Sequence, residues 1–477
     1  GEMLFRHLYG FLGCKQPCLR LWISSLTDEA ITEGMANLLP CDRFDNLFLA
    51  ADSRNRADWL LGVNSSYAIC KAVSFGNNSL GRVQTPVLAE ICRRYRDREN
   101  HMPADCWPVF ISLCKNDRIL KMRHVDDLVV RREALALYED CKAAKSVRIT
   151  AVGKRTEEIG APALYNLAEL QKDANRYHSL TAIQVKEIAQ GLYEKKLISY
   201  PRTSSRLLPK DVYDTLPPVM EKMLSRKEFR QYADTVDLAA PRDSIEAQDT
   251  MEHHAIIITG TQPGKLDREE MLVYTLIVGR MLETFMPPCK VEYTTVDAVC
   301  AARKFRIRTY RILEKGWLGI FEREHIVAKG RMPYQVMPEF FQEEILPVAG
   351  CSLIHKKSLP VSPYTDEELV DYMDKAGLGT VSTRTNILRT LLERKYIRYS
   401  GKYVVPTPKG LFLYETVRGM KVADASLTSG WETELARIER GELSQEEFLD
   451  GVLETVNEVT GEISRNHPVE KRPQGTI

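Results

Sequence analysis

Apolar positions recur at helical spacing over most of the chain. Leu4, Leu8, Phe11 and Leu12 share one face of a helix already under way at Gly1-Glu2. Leu19 to Ser24 (LRLWIS) reads as a short buried strand, and Ser25 to Glu29 as the capped start of the next helix. Ala50 to Ala68 predicts a long helix. A turn-like stretch, Phe75 to Ser79, precedes a further helix over Gly81 to Asn100. That helix carries Val83, Val87, Leu88 and Ile91 on one face and ends in the basic run Arg93, Arg94, Arg96 and Arg98. After Pro103 the period changes to two. Trp107 to Cys114, Ile119 to Val125 and Val147 to Val152 predict strands, as do Val291 to Ala301 and Phe305 to Leu313, with Glu339 to Leu346 adding apolar content before Pro347. These two β regions bracket a helical block from about Ala163 to Pro288, so one β domain interrupted by a helical insertion is the economical reading. From Tyr364 the pattern is helical again, up to a polar tail at 466–477 expected to fray.

A short repeat lies inside this pattern. Leu192 to Tyr200 reads LYEKKLISY and Leu391 to Tyr399 reads LLERKYIRY, five of nine positions identical at an offset of 199. Each comes after an amphipathic helix. Helix, basic turn, strand and then hairpin is the order of a winged helix-turn-helix, which favours nucleic-acid contact, although such units also serve as protein scaffolds.

Composition narrows the classes. The chain has 477 residues, long enough for about three domains. Its 66 Lys plus Arg against 65 Asp plus Glu leave a formal charge of +1, which argues against a wholly basic surface but allows a local basic cleft. No stretch approaches the ~20 apolar residues of a membrane span. The opening residues lack the features of a secretion signal. Eleven cysteines without zinc-ligand spacing read as reduced, mostly buried thiols, with no zinc.

Five constellations could carry chemistry. Tyr200 is followed by Pro201, Arg202, Thr203, Ser204 and Ser205, whereas Tyr399 in the second copy leads only into Ser400-Gly401-Lys402, a tight turn. A tyrosine beside an arginine can serve as a nucleophile towards a phosphate, since a cation favours the phenolate and guanidinium binds phosphate in a fork. Most strand tyrosines are nevertheless structural. His253-His254 cannot both face one way on a strand, so one can enter a cleft as a donor or general acid–base group. Gly377 to Arg384 (GLGTVSTR) opens a helix with glycines and hydroxyls, either a phosphate seat or an ordinary cap, and it lacks the Gly-Lys-Ser/Thr of an ATP site. Arg82, Gln84 and Thr85 could grip a sugar-phosphate backbone. Residues 301–330 carry eight Lys/Arg and three Glu, 8 − 3 = +5, including Lys304, Arg306, Arg308 and Arg311; this is a DNA-facing rim or, slightly favoured, a solvated strand face.

In combination these motifs resemble the type IA DNA topoisomerases, the topoisomerase III branch in particular. The shared stretches are RLWISSLTDEAI (Arg20 to Ile31), ADWLLGVN (Ala57 to Asn64), GRVQTPVL (Gly81 to Leu88), LAELQKDAN (Leu167 to Asn175), LYEKKLISYPRT (Leu192 to Thr203), HHAII (His253 to Ile257) and KAGLGTVSTR (Lys375 to Arg384). They stand in the family's order and span nearly the whole chain.

The resemblance implies an α+β multidomain toroid, mostly helical, with a split β-rich arch and two winged-helix-like units. On that plan 1–28 is a remnant of a Toprim domain, 29–102 the first part of a helical single-strand-binding domain, and 103–162 the first part of the arch. The nucleophile's helical domain is 163–288, the second part of the arch 289–360, the rest of the single-strand-binding domain 361–465, and the tail 466–477. It further implies that Tyr200 forms a 5′-phosphotyrosine with one DNA strand, that another strand passes, and that the break is resealed without ATP. Arg202 and His253 would contact the scissile phosphate. Arg82, Gln84, Thr203, Ser382, Thr383 and Arg384 would bind the strand. The expected setting is cytoplasmic and nucleoid-associated, as a monomer on single-stranded DNA, with a helicase as a possible partner and no membrane.

Three departures stand out: Ser204 where the family has Asp, Ile258 where it has Pro, and Tyr67 where it has Arg. A larger one is at the front. The family's acidic Asp-x-Asp-x-Glu motif runs into the segment matched by Gly1 to Arg6, so the Mg²⁺ ligands and the general acid are expected before residue 1. The expectation is therefore a fragment that binds single-stranded DNA and cleaves it poorly. A non-catalytic single-strand-binding protein is the alternative; it explains the repeat but not the joint spacing of YPRT and HHAII.

Overall fold

The computed structural model describes all residues except 1, 24–27, 74–76, 226, 228, 238–244, 247–252, 322, 330–331, 382 and 468–477. The predicted cap at Ser25 to Glu29, most of the turn at Phe75 to Ser79, Ser382 and nearly all of the tail thus lie wholly or partly outside the described residues. Four helices open the chain: α1 (Glu2–Phe11), α2 (Asp28–Ala36), α3 (Asp45–Ala72) and α4 (Gln84–Glu99). The apolar stripe of α4 packs Val87, Leu88 and Ile91 into a core completed from the far end of the chain by Leu388, Leu413, Trp431 and Val452. Residues almost four hundred positions apart therefore share one hydrophobic centre.

Six strands close into an antiparallel barrel. These are β1 (Val109–Lys115), β2 (Arg118–His124), β3 (Ser146–Ile159), β4 (Cys289–Cys300), β5 (Arg303–Glu314) and β6 (Ile345–Leu353), in the order β5-β2-β1-β6-β3-β4. A helix, α5 (Arg131–Ala143), joins β2 to β3 and packs Ala134, Leu137 and Cys141 on the barrel core. Closure leaves no unpaired edge, which suits strands separated by a long insertion. The apolar run at Glu339 to Leu346 is not itself a strand: β6 starts at Ile345 and continues through Pro347, whose missing N–H is tolerated at the start of the pairing. On β5 the basic side chains find cross-strand partners, Arg306 with Asp297 at 2.5 Å and Arg311 with Glu292 at 2.8 Å, directly opposite in register.

The insertion between β3 and β4 has its own core, built on α6 (Leu167–His178), α7 (Ala182–Glu194) and α8 (Arg268–Thr284). The last third of the chain contains β7 (Tyr364–Thr365), α9 (Asp366–Lys375), α10 (Arg384–Glu393), β8 (Ile397–Ser400), β9 (Tyr403–Pro406), α11 (Pro408–Val417), α12 (Ala425–Glu439) and α13 (Gln445–Asn466).

The internal repeat proves longer than nine residues. Tyr165 and Tyr364 are also 199 apart, and each starts a copy. Asn166 caps α6 and Thr365 caps α9, each accepting from the N–H of a Glu three residues on. The turn residues Lys196 and Lys395 both take a left-handed conformation with φ near +60°. Tyr364 and Tyr399 both pair with Val404 in a three-stranded sheet, and the first copy reproduces this as bridges Tyr165–Ile256 and Ile198–Ile258. In the second copy the return strand comes directly after a two-residue turn at Gly401-Lys402; in the first it is delayed until about residue 255. Hence among the described residues no hairpin follows directly on Tyr200, contrary to the order expected from the repeat; residues 201–254 come between.

The two copies pack against each other. Lys172 meets Asp371 at 2.8 Å, Asp366 accepts from the Ala182 N–H at 2.8 Å, and Lys186 reaches Asn386 at 2.9 Å. Arg176 with Glu367 and Arg389 with Glu187 complete this polar seam.

One cysteine expectation is corrected. Cys18 and Cys41 form a disulfide, Cα–Cα 5.8 Å, because the bridge Leu19–Pro40 and Arg20–Leu39 puts the next antiparallel pair side by side. Of the remaining nine cysteines four are buried and Cys70 is exposed, so burial too was over-expected.

Candidate active site

The segment Ile198 to Pro201, bridged at Ile198 to Ile258, leaves the first repeat copy and is pinned from both sides. Ser199 N donates to Ile257 O at 2.9 Å. Its hydroxyl donates to Ala255 O and accepts from Ile257 N, both at 3.0 Å. On the other flank Leu167 N bonds Thr203 O, and the Asn166 amide donates to Ser204 O. Thr203, 3% exposed, donates to His253 O at 2.9 Å. The motifs YPRT and HHAII, fifty residues apart in sequence, are thereby fixed as neighbours.

Tyr200 sits at the centre of an aromatic row. Its ring lies 4.4 Å from that of His253 and 5.4 Å from that of Tyr193. His253 is stacked near Trp22 at 6.3 Å, and Trp22 stacks on Phe44 at 5.2 Å. Of the adjacent histidines, His254 is buried and bonded to Ala255 O, whereas His253 is half-buried against the tyrosine. That is the division expected of neighbours on an extended segment. Burial, aided by the charge of His254, holds the His253 imidazole below its usual range.

Two buried polar atoms here lack a partner among the described residues: His253 Nδ1 and Arg202 Nε. Such atoms are costly unless a ligand satisfies them. An anionic oxygen is a fitting acceptor for either. Lys186 adds positive potential. Its ammonium is held below the usual range by burial and then by Arg202 and Arg389. Sequence reasoning missed Lys186, Trp22 and Tyr193. Lys186 gave a faint signal, a cation between apolar helix positions; the Trp22 stack gave none.

The other sequence-selected residues lie elsewhere. Arg82 is 4% exposed and faces inward, paired to Asp58 at 2.8 Å and Glu432 at 2.9 Å beneath Trp431. Gln84 accepts from Arg394 at 2.7 Å. Thr383 begins α10, its Oγ1 accepting from Thr380 N at 2.8 Å and so supporting the loop that starts the helix. Arg384 pairs with Asp374 and leaves a buried Nε without a partner. The loop is tied to both neighbours: Val381 packs on the insertion's core, and a Cβ on Gly379 would touch Val83. Positive φ at Gly377 and Gly379 makes glycine the fitting residue at both turns.

Behind the site lies a buried ionic cluster. Asp173 accepts from Tyr165 at 2.5 Å, Arg280 at 2.7 Å and Arg323 at 2.8 Å. Arg280 also donates to Glu283 at 3.1 Å. Burial outweighs both arginines at Glu283, whose carboxyl is pushed up to about 7. Arg323 lies just beyond β5, so the cluster ties the barrel's connection to the helices that carry Tyr200.

A sequence profile described as DNA topoisomerase matches residues 42–450. The chain is 29% identical to a DNA topoisomerase 3 of Bacillus licheniformis, across 98% of this chain and 67% of that protein. It is 28% identical to one of Bacillus subtilis strain 168 over the same shares. The fold is similar to that of full-length topoisomerase I from Thermotoga maritima, TM-score 0.78 at 19% identity, covering 99% of this chain and 77% of that one. The chain belongs to the DNA topoisomerase family, as an enzyme of type IA. DNA is accordingly its substrate. Among the described residues no helix is long and apolar enough to cross a membrane.

Proposed function

We propose that this chain changes DNA topology by transient cleavage of one strand, with Tyr200 as nucleophile. The phenol oxygen attacks phosphorus, the P–O bond to the 3′-oxygen breaks, and that oxygen leaves with a proton while a 5′-phosphotyrosine forms. Arg202 and His253 supply donors to the phosphate oxygens as charge builds. The observation that carries this reading is the Tyr200 ring against His253, whose buried Nδ1 has no partner among the described residues, with Arg202, two residues on in the chain, likewise holding a buried partnerless Nε. Resealing reverses the steps and conserves the bond energy, so no nucleotide is consumed.

Strand passage requires the cut ends to separate. The seam between the two repeat copies supports this role: ion pairs and hydrogen bonds that water can replace run along it. In this reading the copies are winged-helix units of a toroid, the barrel is its arch, and the chain works as a monomer on single-stranded DNA. Magnesium belongs to the reading as a cofactor of the whole protein. The described residues hold no group of three or more His, Cys, Asp or Glu able to take a metal, and no step here runs through one.

The test uses a 3′-end-labelled single strand and the whole protein. A labelled band that survives denaturation is expected with Tyr200 present and lost in Tyr200→Phe, while strand binding persists. A band of equal strength in Tyr200→Phe would remove Tyr200 as nucleophile.

A further inference from the structure

The basic run on α4 is resolved by the fold into three satisfied arginines and one that differs. Arg93 pairs with Glu90 and Asp97. Arg94 donates to Ser362 O and lies 3.9 Å over the Tyr364 ring. Arg96 pairs with Glu99 and Glu415. Arg98 donates only to the Val361 carbonyl, at 3.3 Å. Among the described residues no carboxylate is within ion-pair distance of it.

Arg98 lines a cavity of about 370 Å³ between the end of α4 and the β8–β9 hairpin. Across it stands Arg398, likewise without a carboxylate partner among the described residues. Arg398 and Ser400 alternate onto one face of the hairpin, and the register sets Val405 and Tyr403 opposite them on that face. Tyr95, one turn before Arg98, closes the near side. Among the described residues no Asp or Glu lines the cavity. Two guanidinium groups without a carboxylate partner among the described residues, two phenol rings and the hydroxyls of Ser362 and Ser400 match one chemistry closely: phosphodiester oxygens on the arginines and a base stacked on a tyrosine. A protein or acidic peptide partner would leave the ring faces without a planar counterpart.

We propose that this cavity is a second single-strand-binding site, which takes a nucleotide unit of a DNA strand. It lies at the opposite end of α4 from Gln84, about 20 Å along the helix, and so is separate from the loop before α10. That its ligand is DNA rests on the proposed function. The site itself does not depend on cleavage at Tyr200.

The experiment measures binding of fluorescent oligothymidine strands to the whole protein against salt, for the unsubstituted chain, Arg98→Glu/Arg398→Glu and Arg98→Lys/Arg398→Lys. Both arginines are exposed, so the fold should tolerate the changes; melting curves check this. The Glu pair is expected to bind long strands roughly tenfold more weakly and to lower the salt slope by about 1.4, the value for two lost phosphate contacts on a single strand. The Lys pair should keep most of the slope. A strand carrying a photoreactive thymine analogue is expected to crosslink to Tyr403 or Tyr95. An unchanged salt slope in the Glu pair, or a crosslink abolished by equimolar mononucleotide, would overturn the proposal. The Tyr200 adduct is read on the same strands. Its absence from the unsubstituted protein would overturn the cleavage reading and leave the crosslink result standing.

Discussion

Glu283 offers the most demanding test of the physical reasoning. Its side chain is fully buried between Arg280 and Arg323, yet its carboxyl is raised from 4.5 to about 7, because burial opposes charge more strongly than the two arginines favour it. A carboxyl raised in the folded state binds its proton more tightly there than in the unfolded chain. Its contribution to stability is complete below about pH 4.5 and is lost as pH rises through 7. At 1.36 kcal/mol per tenfold change, moving from 4.5 to about 7 amounts to about 3 kcal/mol across that window. Glu283→Gln cannot ionise. The difference in stability between the two proteins should therefore change by about 3 kcal/mol between pH 4.5 and 8, with the wild type losing ground as pH rises. Hydrogen exchange of α8 amides at a series of pH values reads this locally, which suits a chain with several cores. Histidines titrating in the same range cancel in the comparison. Parallel curves for the two proteins would refute the assignment of burial as the dominant cause.

Three further outcomes are expected from the geometry. Tyr399→Phe removes the hydrogen bond to buried Asp366 and should destabilise the second repeat copy by about 1–3 kcal/mol on denaturant melting, while leaving the covalent adduct intact, the reverse of Tyr200→Phe. Ser199→Ala leaves Ile257 N without its acceptor inside the core, so a loss of about 1–3 kcal/mol together with a weaker adduct is expected, since the segment that follows His253 is no longer tied down. Gly410→Ala would set a Cβ 2.1 Å from the Tyr396 carbonyl oxygen, a backbone atom that cannot swing aside, and should cost at least about 1–3 kcal/mol, read as lower soluble yield and an earlier melt.

Much of this protein was legible in its sequence because much of it is local. The 3.6 and 2.0 periodicities located α3, α4 and five of the six barrel strands, since those patterns reflect which face each element buries. The nine-residue repeat and the YPRT, HHAII and GLGTVSTR stretches were enough to point to a family. Comparing Tyr200 with Tyr399 within one chain also set the two apart: Pro201, Arg202 and three hydroxyls succeed the first, a tight turn the second.

The tertiary structure was needed for features set by pairs far apart in sequence. The repeat copies extend back to Tyr165 and Tyr364, which emerged only once Ile256 was found in the position that Val404 holds. Cys18 and Cys41 meet because a two-residue bridge aligns them, and cysteine spacing does not encode that. Arg82 reads from its motif as a strand contact, yet Asp58 and Glu432 hold it inward. Of four arginines in one run, only the fold distinguishes the three that find a carboxylate from the one that faces a cavity. A sequence records which side chains are available and which face of an element they occupy. Charge compensation and burial depend on what other segments bring to that face, and these decided which groups remain free to act on DNA.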